Sequence, residues 1–584
     1  MSDLAEVQGL SPGLLSAGIG GSVPATQTYL DISQGTRVFD HFYDERLPPF
    51  LLSDRGVEGE AWREIVARAE SAPADVVPGL LASTLRKGGL PARAEREIGH
   101  AALIAVDGEG RVERLPSDSC AARDCGPGVS VVEMSQDRLA RAVEALRGDD
   151  LLIAIGDAPP ASGHQLPIGI AGAGFGDGAL TSDSTRTEGF VITTDLGPTI
   201  LRRLGIEEPE EMTGRPIRAE GGTDLGALEE LDRRLSQRPS RAAVIGLPLL
   251  AWLLAMGLAW LSLRSRARPV FALAGLSAVY APALLLVGAA LKPSEPVETL
   301  IVGLGSPLAA LLTLALLPGY RALAAACAVT VGAHAVDVVV GSPLTSLSVL
   351  GPNPAGGVRF FGIGNELEAA IAVMVPLGVG AWLGSARERS PRFAAGAFVV
   401  AALLAALVFA PGRFGADVGA AIVLPAGAVV AVALVLGMRP RTTILILAAV
   451  CAGGVAALAV IDLALGGDAH LSRTVLGADG SGEVGDALSR RVRLTARSFY
   501  DPAYPLLLVV TPILLALGFR ERRRILAWFG ERDAARAGYL GALAATVVGT
   551  LANDSGAILL IIGTLTLAFA TAFLWARSPA RDET

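Results

Sequence analysis

The chain has 584 residues, 51% hydrophobic and 18% charged, with a net charge of −8 and a mean hydropathy of +0.50. That composition excludes a wholly soluble enzyme and describes a membrane protein with a soluble part attached. With this acidic balance no nucleic-acid partner is expected, and the five histidines and four cysteines form no zinc pattern.

Residues 1–240 read as one soluble domain, because no apolar stretch there approaches the roughly 20 residues a spanning helix needs. The opening MSDLAEVQGLSPGLLSAGIGG has no basic segment followed by an apolar core, so it is not a signal peptide. AALIAV (101–106) and VSVVEM (129–134) read as strands, and SQDRLARAVEALRG as a helix capped by Ser135. DDLLIAIGD reads as a buried strand and GFVITTDLGPTILRRLG as strand, turn and helix. This alternation predicts an α/β domain with a mainly parallel sheet, and draws attention to Asp157, Thr194 and Asp195 at strand ends. The stretch GIAGAGFGDGAL lacks the spacing of a dinucleotide fingerprint and reads as a loop. Cys120 and Cys125 are spaced to close a small disulfide loop in an oxidising compartment, whereas Cys327 and Cys451 lie in apolar runs as packing residues.

The segment STRTEGFVITTDLGPTILRRLGIEEPEEMTGRPI (184–217), with the strand ending at Asp157, resembles the C-terminal part of the alkaline phosphatase and sulfatase superfamily. The whole chain also resembles bacterial multi-pass proteins that join such an extracytoplasmic domain to helices bearing GIGNE and NDSG motifs. The resemblance implies a phosphatase-like fold and, in active members, two divalent metals held by Asp and His beside a Ser or Thr nucleophile. Here Asp157 is followed by Ala158, and His41, His100 and His164 have no carboxylate at ligand spacing. No N-terminal strand bearing an aspartate and a nucleophile is visible, so the domain reads as degenerate. A missing upstream start, encoding a signal or an anchoring helix, is the expectation.

Residues 241–584 read as a polytopic helical domain of about 11 spans: 242–262, 269–291, 297–318, 321–341, 363–384, 393–411, 416–437, 441–463, 504–519, 538–552 and 555–576. Basic residues collect in alternate connections, at Arg264, Arg266 and Arg268, at Arg387, Arg389 and Arg392, at Arg439 and Arg441, and at Arg520 to Arg524. That side is expected in the cytoplasm of a bacterial cell, with the C-terminus, and the N-terminal domain outside.

Three spans beginning on the outer side are introduced by polar motifs: FFGIGNELE, PGRFGADVG and LANDSG. They supply Arg359, Asn365, Glu366 and Glu368; Arg413 and Asp417; and Asn553, Asp554 and Ser555, with His334 and Asp337 near the outer half of another span. Helix capping accounts for one oxygen per helix end, including a capping box from Asn365 to Glu368, but not for the paired carboxylates and arginines. Arginines bind phosphate, and carboxylates beside them hold a divalent cation or act as a base. The expected function is therefore group transfer or hydrolysis on a phosphate-containing lipid or lipid-linked glycan at the outer face. Glu366, Asp417 and Asp554 are the expected catalytic groups, and Arg359, Asn365, Arg413, Asn553 and Ser555 the substrate-binding ones. A divalent cation is the cofactor this chemistry implies. A transporter or flippase of such an amphiphile, and a non-catalytic scaffold with a pseudo-phosphatase domain, are the alternatives.

Overall fold

A computed structural model describes Leu4 and residues 7–578, except 21–22, 73, 116–126, 160, 163–164, 237, 387–388, 465–494, 497, 501–504 and 554. Cys120, Cys125, His164 and Asp554 lie outside the described residues. The chain divides into two units. One comprises Met1–Arg238 together with Asn353–Phe360; the other comprises Pro239–Pro352 and Phe361–Thr584.

The first unit is α/β. Its strands are β1 (Ser11–Ser16), β2 (Ala92–Ala94), β3 (Glu113–Arg114), β4 (Val129–Val131), β5 (Leu152–Ile155), β6 (Gln165–Ala171) and β7 (Phe190–Ile192), with a few two- and three-residue ribbons. Its helices are α1 (Ala25–Gln34), α2 (Gly59–Glu70), α3 (Leu80–Lys87), α4 (Gln136–Ala145), α5 (Leu196–Arg203) and α6 (Leu225–Ser236). The main sheet has the order β7-β1-β6-β5, and a smaller one the order β3-β2-β4. Leu15, Leu166, Ile168, Ile170, Val191 and Leu196 fill the core of the main sheet.

Two expectations are corrected here. The main sheet is mixed: β1 pairs parallel with β7 but antiparallel with β6, and β6 is antiparallel to β5. The link 156–164 between β5 and β6 is shorter than a parallel crossover needs, and the two strands pair antiparallel. Only the small sheet is parallel throughout its described pairs. AALIAV is no strand but part of a 3₁₀ run, Gly99–Ala105, with Ala102, Leu103 and Ala105 buried; a short continuous apolar run does not distinguish the two. An N-terminal strand that the sequence did not mark is β1, which carries no aspartate. Its sequence, SPGLLS, is buried along its whole length, although Pro and Gly mask its strand character.

The second unit is helical. Its main helices are α7 (Arg238–Leu263), α8 (Arg268–Leu291), α9 (Glu295–Leu316), α10 (Tyr320–Val339), α11 (Asn365–Gly384), α12 (Pro391–Phe409), α13 (Ala420–Val435), α14 (Pro440–Ala464), α15 (Pro505–Arg520), α16 (Asp533–Ala552) and α17 (Gly556–Arg577). Among the described residues, eight helices, in α7 to α12 and in α16 and α17, are long and apolar enough to cross a membrane; shorter apolar stretches lie at Ala420–Val435, Pro440–Gly454 and Leu507–Arg520. Leucines such as Leu247, Leu304, Leu308 and Leu404 are exposed on these helices, as a lipid-facing surface requires. Arg268 stacks over Trp575, Arg389 over Trp382 and Arg532 over Tyr320. Such aromatic and arginine pairs suit the water boundary of a bilayer.

The tightest contacts inside the bundle are made by small residues. A Cβ on Gly380 would lie 2.8 Å from Gly538 Cα, and one on Gly427 would lie 3.0 Å from Gly541 O. These glycines let α11 and α13 approach α16 backbone to backbone, the device by which helices associate where no water drives them together.

Candidate functional site

The close approach of α11, α13 and α16 brings the polar ends of these helices together. Glu368, in the first turn of α11, is 1% exposed; Asp417, just before α13, is 2%; and Asn553, just after α16, is 4%. Asn553 Nδ2 donates to Glu368 Oε2 at 2.9 Å and to Asn365 Oδ1 at 3.3 Å. Asp417 Oδ1 accepts from Gly419 N at 2.9 Å, and the positive φ of Ala416 (52°) turns the chain into this loop. That turn delays α13 to Ala420, later than the expected start at 416.

Gly419 shows how closely the acids converge. A Cβ there would lie 2.5 Å from Glu368 Oε1 and 3.0 Å from Asp417 Oδ1, so both carboxylates crowd the space above one glycine. Beneath Asn553, Thr495 Oγ1 donates to its carbonyl oxygen at 2.8 Å, and Ser498 Oγ accepts from Ala557 N at 3.1 Å. Neither Thr495 nor Ser498 was legible as a support residue, since nothing in their local pattern marks a contact across more than fifty residues.

The expected residues divide accordingly. Asn365, Asp417 and Asn553 are brought together. Glu368, not Glu366, supplies the glutamate: Glu366 is half-buried and its Oε2 lies 3.3 Å from where a Cβ on Gly364 would stand, so it folds back on the helix start. A turn of 100° per residue puts 366 and 368 on different faces, and only the second points inward. The expected capping box is not formed, because Gly364 is the N-cap of α11 and no side chain caps it. Asn553 has two roles, since its Oδ1 accepts from Ser555 N at 2.9 Å while its amide reaches Glu368. Ser555 is the half-buried N-cap of α17. Arg413 is exposed and lies over the Phe414 ring at 5.9 Å, and Arg359 belongs to the segment grouped with the α/β unit. Asp337 is buried but engaged, accepting from Leu344 N and Thr345 N. His334 is buried with Nδ1 on Thr330 O at 2.9 Å.

Among the described residues, no group of three or more His, Cys, Asp or Glu is placed to hold a metal ion. Two carboxylates and two amide side chains form a set rich in oxygen that can hold a cation or a proton.

In the α/β unit, the strand-end aspartates have other duties. Asp157 is exposed and accepts from Tyr29 Oη at 3.3 Å. Asp195 is fully buried and accepts from Ser182 Oγ, Ser184 Oγ, Ile192 N and Arg215 N, which ties three loops together. Burial pushes its carboxyl up even against these donors. A second network surrounds Asp31, whose Oδ1 accepts from Gln27 Nε2 at 2.8 Å and Gln34 Nε2 at 3.0 Å. Burial pushes the Asp31 carboxyl up to about 7, against the pull of Gln27 and of Arg37 and Arg68. Arg68 lies over the Tyr43 ring, 3.5 Å from its centroid, and is bonded to Gln27 and Asp40. Arg37 is pushed down to about 10 by burial.

Searches against family models, curated proteins and solved structures find no match to this chain.

Proposed function

We propose that this is a multi-pass protein of the bacterial cytoplasmic membrane that transfers or hydrolyses a phosphate-linked group on a lipid or lipid-linked glycan. The observation that carries the reading is the convergence of Glu368, Asp417, Asn365 and Asn553 inside a mainly apolar helical bundle. Ionisable side chains held inside such a bundle are costly, and they persist where they handle charge or protons. In this reading the three shorter apolar stretches complete eleven crossings. The α/β domain lies outside the cell and the C-terminus inside. Glu368 and Asp417, with Asp554, act as base or cation ligands, Asn553 orients Glu368, and Arg413 attracts the phosphate. The α/β domain, where the described residues hold no metal-ligand group and Asp195 serves as a tie, acts as a non-catalytic module with a degenerate phosphatase-like ancestry.

The second reading is transport of the same amphiphile, which the same pair of carboxylates would couple to a proton or a cation. Proteoliposomes carrying a lipid-linked phosphosugar and a magnesium salt separate the two. Release or exchange of the phosphate-linked group supports chemistry; movement of an unaltered carrier between leaflets supports transport and overturns the enzyme reading.

A further inference from the structure

The segment Asn353–Phe360, which follows the fourth long apolar helix in sequence, is part of the α/β unit. It is seated at the carboxyl end of β1. Arg37 donates from Nη2 to Gly357 O at 2.8 Å, and from Nη1 to Ser16 O at 3.1 Å and to Ser16 Oγ at 3.3 Å, so one guanidinium holds strand and segment together. Gly20 N donates to Gly356 O at 2.8 Å. The Phe360 ring meets Phe190 of β7 edge-on at 5.5 Å, and Arg37 lies over the same ring at 5.5 Å. Gly357 has φ of 67°, and a Cβ on it would overlap Gly18 O and stand 3.2 Å from Ser16 Oγ. This approach therefore admits only glycine.

The carboxyl ends of parallel strands are where open α/β sheets bind their ligands. Here β1 and β7, the parallel pair, end at Ser16 and Ile192, and the chain itself occupies that end. We propose that residues 353–360 form a releasable strap that closes this crevice against outside ligands, with Arg37 as its latch. Among the contacts that seat the strap are one bond from Arg37 to Gly357 O, one from Gly20 N to Gly356 O and the Phe360–Phe190 ring pair, with Ser16 buried underneath, and the first of these can be removed by a single substitution. Only Phe361–Gly364 separate the strap in sequence from Asn365.

The test uses the full-length protein in membranes, with Ser16→Cys as a reporter and a hydrophilic maleimide as the probe. With the strap seated, the thiol is labelled slowly. Adding Gly357→Val, whose side chain has no room against Gly18 O, is expected to speed labelling by about tenfold or more. Hydrogen-exchange protection of the β1 and β6 amides should stay unchanged. Arg37→Met, which adds no atoms at the contact, is expected to act in the same direction and decides the matter if Gly357→Val loosens the sheet itself. Equal labelling in Arg37→Met and the parent, with β1 protection retained, overturns the proposal.

Discussion

The hydrogen bond from Asn553 to Glu368 links helix ends 185 residues apart in sequence, and its energy can be measured. Both side chains are at most 4% exposed and the donor lies 2.9 Å from Oε2, so water does not compete for either partner. A buried hydrogen bond to a charged acceptor is worth roughly 1.5–3 kcal/mol. Replacing Asn553 by leucine leaves Glu368 without this donor, and replacing Glu368 by methionine removes the acceptor at similar volume. The coupling energy from the two single variants and the double variant should then be about 1.5–3 kcal/mol. Equilibrium unfolding in mixed micelles, followed by helix content, gives the four free energies. Coupling below about 0.5 kcal/mol, with both single variants folded, would refute a direct bond in this environment.

Gly419→Ala places a methyl 2.5 Å from Glu368 Oε1, so one carboxylate must move; a loss of about 1–3 kcal/mol by the same unfolding assay is expected, and an unchanged midpoint would contradict the convergence. In the α/β unit, the raised Asp31 pKa means that its contribution is full below about pH 4 and is lost as pH rises through about 7. Between pH 5 and pH 8 the difference is at most roughly 3 kcal/mol, read as hydrogen exchange of α1 in the intact protein at those two values. Asp31→Asn should flatten that dependence, and an unaltered slope would assign it to another group. Asp195→Ala removes an acceptor with four donors and should destabilise the α/β unit by about 3–5 kcal/mol; a folded variant with native exchange rates would show that the tie is dispensable.

The helical half was legible because spanning helices need long apolar runs: among the described residues eight of the expected spans hold helices long and apolar enough to cross a membrane, and shorter apolar helices lie at the other three. Boundaries slipped where local turns intervene, as at Ala416 to Gly419. The α/β half was less legible. DDLLIAIGD and GFVITTDLG hold their strands at Leu152–Ile155 and Phe190–Ile192, but the central strand SPGLLS has two adjacent leucines between polar or small residues and no alternation. Its position is set by pairing on both sides, which no local pattern records. At the candidate site the motifs were visible, yet the choice between Glu366 and Glu368 depends on which face α11 turns to α16, and that orientation comes from Gly380 meeting Gly538. Arg413 matched the chemistry of a phosphate clamp by type, but its side chain is exposed.

The central claim is that Glu368 works as a charge-handling group rather than a strut. The most direct measurement is the turnover of a lipid-linked phosphate substrate by reconstituted Glu368→Gln, compared with the parent at matched unfolding midpoints. A fall of about 100-fold or more with stability retained is expected. Parent-like turnover in a folded Glu368→Gln protein would contradict it.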